Sequence, residues 1–253
     1  MIRSHIKALL GSILIASSSS AFQPTIYAGA GVPAAGGGGG SFTFVASASG
    51  ASDGSSTTVA TSSTLNVATG DLLIALVTYE DTGTTTVAIT DGVSNSFTYD
   101  SGDEATDSTF IFVSPLYRTA GVANATATFT ATLGAARPYK RIVVMQFRPG
   151  SGETVSKDIS GTREAASVGA AITTGTFSTT GTDGVVCGVA GIYTSGTWSA
   201  DTINSVAADD AATEQSAHMW CRIVTAGLTT VTGAATYSAL STWAATAIAF
   251  KAE

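Results

Sequence analysis

The chain has 253 residues, enough for one large all-β domain or two small domains with a buried core. Charged residues make up only 11% of it, against about 25% in an average soluble domain, and the abundant Thr, Ser and Gly predict strands joined by short polar turns. With 11 Lys and Arg against 18 Asp and Glu, the net charge is −7 and no basic stripe is present, so we expect no nucleic-acid partner.

The first 21 residues have the pattern of a secretory signal peptide. Arg3 and Lys7 precede an apolar run over residues 8–16, a Ser-rich stretch follows, and Ala21 is placed for cleavage. The run is shorter than the roughly 20 residues that cross a bilayer, so we expect no membrane span. The alternative, which we favour, is a retained arm that anchors the protein through the apolar residues Leu9, Leu10, Ile13, Leu14 and Ile15.

Five consecutive glycines, Gly36 to Gly40, follow this segment. Glycine gives the most flexible backbone available, so such a run is typical of a linker. We therefore predict a non-globular arm and linker over residues 1–40 and a folded domain over residues 41–253.

The folded domain reads as short strands divided by Gly, Asp, Asn and Ser, with no convincing helical period. Its clearest strand is "DLLIALVTY", residues 71–79, whose continuous apolar run predicts a central strand buried on both faces. Leu73, Ala75 and Val77 should face one side, and Leu72, Ile74 and Leu76 the other. The predicted fold class is all-β, an antiparallel jelly-roll-like sandwich.

The second half of the domain repeats the first, giving pseudo-repeats over about residues 41–150 and 170–253. Three pairs of segments correspond: Thr64 to Tyr79 with Thr176 to Tyr193, Thr109 to Leu133 with Ala217 to Leu240, and Tyr139 to Phe147 with Trp243 to Phe250. Two units are too few for a solenoid, so we expect a duplicated sandwich related by an approximate two-fold axis. One continuous core is favoured over tandem lobes, since no clean linker joins the halves.

The strand order also resembles a known type of domain. "GDLLIALVTY", "ITDGVSNSFTYDS", "TAGVANATATFT" and a closing "WAATAIAFK" are similar to a recurrent duplicated β-sandwich of tailed-phage virion proteins and bacterial surface proteins. The resemblance covers roughly residues 41–253. It implies a fold and a surface location, and it carries no catalytic residues.

Two acidic loops are candidate metal sites. The stretch "DSGDEATDS" contains Asp100, Asp103, Glu104 and Asp107, whose oxygens are ligands of the type that calcium prefers. The stretch "ADDAATE" holds Asp209, Asp210 and Glu214 at the corresponding place of the second half. Neither has the spacing of an EF-hand, and acidic loops are more often simply solvated, so no metal and no cofactor are expected.

The three tryptophans and the two cysteines have structural and functional interpretations. Trp220 and Trp243 fall within strands and are expected in the core, whereas Trp198 lies beside a turn and is the best candidate for an exposed contact with a sugar ring. Cys187 and Cys221 form either a disulfide or two buried free thiols. We favour free thiols, because two cysteines alone do not make a disulfide framework.

Three functions compete. The leading hypothesis is a non-enzymatic structural protein on the surface of a virus particle, most plausibly a tailed phage. It would be a decoration, spike or tail-fibre-associated protein, joined through its arm to other virion proteins, oligomeric within a symmetric assembly, and in contact with cell-surface glycans. The alternative is a secreted bacterial adhesin or carbohydrate-binding module with a cleaved signal peptide. A glycan hydrolase using Asp103 and Glu104 comes third, since no nucleophile motif is present.

Overall fold

The computed structural model describes residues 42–80, 85–93, 95–107, 111–194 and 196–253. The expected arm and its anchoring residues lie outside this part of the chain. The strands of the first half are β1 Thr43–Ser52, β2 Ser56–Ala60, β3 Leu65–Val67, β4 Leu72–Glu80, β5 Val87–Thr90, β6 Thr98–Tyr99, β7 Ala105–Thr106, β8 Ile111–Thr119, β9 Asn124–Ala127, β10 Thr130–Arg137 and β11 Lys140–Arg148.

The strands of the second half are β12 Val155–Lys157, β13 Ser160–Gly161, β14 Ala165–Thr173, β15 Phe177–Ser178, β16 Gly184–Ile192, β17 Trp198–Ile203, β18 Val206–Ala207, β19 Asp210–Glu214, β20 Ala217–Val224 and β21 Gly233–Ala252. Within the described residues the only helical element is one 3₁₀ turn, Ser101–Asp103. No helix in the same part of the chain has the length and apolarity to cross a membrane. The predicted all-β, antiparallel fold class is confirmed.

Two large antiparallel sheets form the middle of the molecule. The first has the order β1-β11-β4-β8-β6, with β7 also paired to β8. The second has the order β18-β17-β21-β16-β20-β19, with β12 and β14 also paired to β21. The central strands β4 and β16 therefore have matching neighbours, β11 and β8 for β4, and β21 and β20 for β16.

The inner faces of these two sheets pack against each other and form what we call the shared core. Leu72, Ile74 and Leu76 of β4 lie in it together with Val185 and Val189 of β16, all with no exposed surface. The side chains between them on β4, Leu73, Ala75 and Val77, point to the opposite face and are equally buried. The predicted division of β4 into two buried faces is confirmed, because a strand covered on both sides needs apolar residues at every position.

Each half also has a core of its own. The outer face of the first sheet is covered by a smaller sheet of β2, β10 and β5, with Phe129 and Ile89 in the cluster between them. In the second half, residues of β14 and β17 and of nearby loops pack on the face of β16 and β20 that points away from the shared core, and this cluster encloses Trp220 and Trp243. The structure thus corrects the expectation of one continuous core. Buried residues form three clusters, and the expected placement of Trp220 and Trp243 in a core is confirmed.

The structural alignment of the two halves is shifted by one residue from the alignment that their sequences suggest. Aligning Tyr79 with Tyr193 pairs Leu72 with Val186, but Leu72 faces the shared core whereas Val186 faces away from it. The residue that matches Leu72 by orientation is Val185, and both lie opposite a phenylalanine, Phe147 and Phe250 respectively. A shift of one residue moves every side chain of a strand to the opposite face of the sheet. Side-chain orientation, and not residue identity, therefore decides which positions of the two halves are equivalent. The two-fold relation of the halves stays a prediction.

Cys187 and Cys221 form a disulfide, which corrects the favoured interpretation of free thiols. The two residues lie directly opposite each other on β16 and β20, with their Cα atoms 4.1 Å apart. Both side chains point into the shared core, and the Sγ atom of Cys221 lies 3.7 Å from Sδ of Met145. The sequence could not decide this point, because the pairing depends on the register of two strands, which a sequence separation of 34 leaves open.

Candidate functional site

A cavity of about 370 Å³ opens at one end of the shared core. The C-terminal ends of β4 and β16, the N-terminal end of β11 and the turn between β19 and β20 meet there. Its volume is at the lower end of the range for small-molecule sites. We call it the end pocket, and six side chains define its chemistry: Asp53, Glu80, Tyr139, Arg141, Tyr193 and Gln215.

Arg141 connects the two halves at the base of the end pocket. It lies two residues before Val143 on the same face of β11, so it extends the shared core with a buried guanidinium group. One terminal nitrogen contacts Asp53 Oδ1 at 2.7 Å and Gln215 Oε1 at 2.5 Å, and the other donates to the Lys140 carbonyl at 2.9 Å. Asp53 belongs to the same half as Arg141 and neutralises its charge, whereas the hydrogen bond to Gln215 spans the interface between the two halves.

The backbone is strained at two positions of the end pocket. Tyr139 and Gln215 have φ angles of 46° and 48°, in the left-handed region that costs roughly 1–2 kcal/mol for a residue with a side chain. Each lies in a two-residue turn, Pro138–Tyr139 and Gln215–Ser216, where glycine or asparagine would be the ordinary choice. Such strain concentrates at functional sites, where the side chain is needed despite the backbone.

Two tyrosines give the end pocket an aromatic lining. Tyr139 and Tyr193 are 52% and 51% exposed, so both residues offer surface to a ligand. The Tyr193 side chain also hydrogen-bonds the Glu80 carboxylate. Burial raises the pKa of Glu80, although Tyr193 and Arg141 oppose that change. The lining therefore combines ring faces with a carboxylate and an amide, a set that suits a ligand with both apolar and hydroxyl surfaces.

Trp198 is placed beside the end pocket as a supporting residue. Its ring is half-buried against His218 and Tyr237, with centroid distances of 4.5 and 4.9 Å, and its Nε1 donates to the Gln215 carbonyl at 3.1 Å. The expected exposed sugar platform is therefore mostly covered. Trp198 instead holds the backbone of the strained turn whose side chain contacts Arg141.

His218 lies between two indole rings. It stacks on Trp198 on one side and on Trp220 on the other, at 4.5 and 5.4 Å between centroids. Its Nδ1 is 2.7 Å from the Thr213 hydroxyl and its Nε2 is 2.9 Å from Asp201 Oδ1. A hydroxyl, an imidazole and a carboxylate in a row also occur in nucleophilic enzymes. Here both faces of the imidazole are covered, and the row ties the β19–β20 hairpin to β17.

The first acidic loop is satisfied by cations of the chain itself. Asp103 is completely buried and contacts Lys157 Nζ at 2.5 Å and Arg163 at 2.9 Å. Lys157 also contacts the more exposed Asp100 at 2.7 Å. Burial raises the pKa of Asp103, whereas the hydrogen bond from Lys157 lowers the pKa of Asp100. Lys157 lies on β12 and Arg163 between β13 and β14, so this cluster fastens the start of the second half to the first half.

The other two carboxylates of this loop have local partners. Glu104 accepts a hydrogen bond from the Ser114 hydroxyl at 2.8 Å, and Asp107 accepts one from the Ile111 amide at 2.8 Å. Burial and the contact with Glu104 raise the pKa of the Tyr99 hydroxyl. The carboxylates that were candidates for calcium or for glycan hydrolysis are therefore engaged in internal contacts, and none of them lines the end pocket.

We expect Asp103→Asn to lower the free energy of unfolding by about 2–3 kcal/mol, because two largely buried cations lose their counter-charge. The expected loss lies below the usual cost of breaking a buried ion pair, because Lys157 keeps its ion pair with Asp100 and both cations are partly exposed to water. Urea unfolding followed by tryptophan fluorescence measures it. Asp100→Asn is the matched control, with an expected loss below about 1 kcal/mol because Asp100 is largely exposed. Equal losses in the two variants would contradict the assignment.

The second acidic loop is spread over the edge of the other sheet. Asp209 accepts from the Ile223 amide at 2.7 Å, and Glu214 accepts from the Ser49 hydroxyl at 2.7 Å, which links β19 to β1. Burial, together with the neighbouring Asp209 carboxylate, raises the pKa of Asp210 to about 6. Within the described part of the chain, no group of three or more His, Cys, Asp or Glu side chains is arranged to hold a metal ion.

The end pocket was missed in the sequence because its residues come from six separated segments. One signal for it was present. Tyr139 follows Pro138 in "RPYKR", and Gln215 follows Glu214 in "TEQSAH", both at strand-to-strand turns without glycine. A large or amide side chain at a turn position that favours glycine indicates that the side chain itself is required there. No protein-family model matches this chain, and searches of curated proteins and of solved structures found no match either.

Proposed function

We propose that this chain is a non-enzymatic display protein of a virus particle, a decoration, spike or tail-fibre-associated component that presents its double sandwich and contacts host-surface glycans. The end pocket is the observation that carries the binding part of this proposal. It is small, lined by two half-exposed tyrosines, and held by residues from both halves of the molecule. A symmetric particle would multiply one weak contact of this kind into useful avidity.

Three further features support display on a particle. The N-terminal segment is apolar enough to bind another virion protein, and the glycine run separates it from the folded domain. The strand order resembles sandwiches of tailed-phage virion proteins, and a disulfide is compatible with the exterior of a virion.

Deletion of residues 1–40 tests the anchoring role. The truncated protein should fold and unfold cooperatively, since the first buried residue of the shared core in the described chain is Phe42. It should be absent from purified particles of a virus that carries the full-length protein. The measurement is copy number by quantitative mass spectrometry of the particles. Normal incorporation of the truncated chain would refute the anchor, and its unfolding would show that the segment belongs to the domain.

A secreted bacterial adhesin or carbohydrate-binding module is the second candidate. The disulfide favours it, because such bonds form in secreted and cell-surface proteins and are rare in cytoplasm. The signal-like first 21 residues point the same way. The intact mass of the mature protein separates the two candidates. A chain that starts at Phe22 supports secretion, and one that starts at Met1 or Ile2 supports the retained arm.

A further inference from the structure

We propose that the end pocket is a saccharide site that accepts uncharged sugar units and rejects acidic ones. This inference rests on the proposed glycan contact and narrows its ligand class. It follows from the charges at the base of the pocket, from its aromatic lining and from the strain stored at its rim.

The preference for uncharged sugars follows from the contacts that Arg141 already makes within the protein. Among the side chains that line the pocket, Arg141 carries the positive charge, while Asp53 and Glu80 are carboxylates. Both terminal nitrogens of Arg141 already have partners, in Asp53, Gln215 and the Lys140 carbonyl, and its Nε, which has none, is buried away from a ligand. Among the described residues of the lining, a carboxylate or sulfate on a ligand would meet two carboxylates and no cation other than Arg141. Hydroxyl groups, in contrast, can donate to the Glu80 carboxylate, which also hydrogen-bonds Tyr193.

The second step concerns the ring of the ligand. A pyranose has apolar C–H faces and a polar edge of hydroxyls, and it needs an aromatic face together with acceptors at its rim. Tyr139 and Tyr193 supply the aromatic surface, and Glu80 and Thr194 lie beside them in the lining. The volume of about 370 Å³ suits a short stretch of glycan and not a protein segment with bulky side chains.

The third step is the left-handed backbone of Tyr139. Glycine at this turn would remove the strain, so a purely structural account gives no reason for a half-exposed tyrosine there. A contact between the Tyr139 ring and a ligand would explain why tyrosine occupies this position. Stability and binding should then respond in opposite directions to Tyr139→Gly, which a structural role would not produce.

The test is a glycan array that carries neutral and acidic glycans, probed with the full-length protein and followed by calorimetric titration of the best neutral oligosaccharide. We expect signal on neutral glycans and none on those with uronic acid, sialic acid or sulfate at the recognised unit. Tyr193→Ala and Tyr139→Gly should each weaken the affinity at least tenfold. Val122→Ala is the control, since Val122 is 50% exposed near the opposite end of β4 and should bind as wild type.

Thermal unfolding gives the second readout. The midpoint of Tyr139→Gly should equal or exceed that of the wild type, whereas a structural tyrosine would lower it by several degrees when removed. Preferred binding of acidic glycans would overturn the charge selection, and no binding to any glycan would overturn the saccharide site. Incorporation into particles is measured separately, so failure of this inference leaves the anchoring result unaffected.

Discussion

Leu76→Asp is expected to abolish folding of the double sandwich. Leu76 has no exposed surface and faces the shared core, between Val143 of β11 and Pro115 of β8 in the first sheet. A carboxylate there has no partner, and an unpaired buried charge costs several kcal/mol, as much as the whole stability of many domains. The variant should be insoluble, or should lack a cooperative thermal transition by circular dichroism.

Leu76→Met is the control for this substitution. It preserves volume and hydrophobicity, so a loss below about 1.5 kcal/mol is expected and the fold should survive. A soluble Leu76→Asp variant with a cooperative transition would show that β4 is not buried between two layers.

Loss of the Cys187–Cys221 disulfide should have the next largest effect, about 3–4 kcal/mol of unfolding free energy. The bond closes a loop with a sequence separation of 34 residues, and the chain-entropy account gives this magnitude for such a loop. Reduction of the wild-type protein with dithiothreitol should therefore lower its urea midpoint substantially.

The Cys187→Ala, Cys221→Ala double variant controls for other effects of the reductant. Its midpoint should be low and should not change with dithiothreitol. Two reactive thiols in the unreduced, denatured wild-type protein would contradict the disulfide, and so would a midpoint that the reductant leaves unchanged.

The sequence predicted those parts of the fold that depend on local pattern. In "DLLIALVTY", the eight positions after Asp71 contain no turn residue and predict a strand covered on both sides, and alternation then assigns each side chain to a face. Trp220 and Trp243 could be placed in a core for the same reason, because each stands inside an apolar run.

The sequence failed where partners are far apart along the chain. From the sequence, Asp103 is expected to be a solvated loop residue. Its partners Lys157 and Arg163 lie more than fifty positions away, and no sequence pattern connects them with it. The role of Arg141 likewise depends on its contacts with Asp53 and Gln215, which lie in two different halves of the domain. The one-residue shift between the halves could not be predicted either. Tyr79 and Tyr193 align in the sequence, and the alignment does not show that packing turns their strands to different faces.

The position of β1 has a mechanical consequence. The chain enters this strand at Thr43, opposite Arg148, and leaves it about 30 Å further on beside Asp53, at the rim of the end pocket. A tether that pulls on Thr43 against a ligand held at the pocket stretches β1 along its own axis. The backbone hydrogen bonds between β1 and β11 then bear the force together, in shear, instead of opening one after another like a zipper. If the N-terminal segment is the tether and the end pocket is the binding site, as proposed, the force acts in the direction in which a strand resists extraction best.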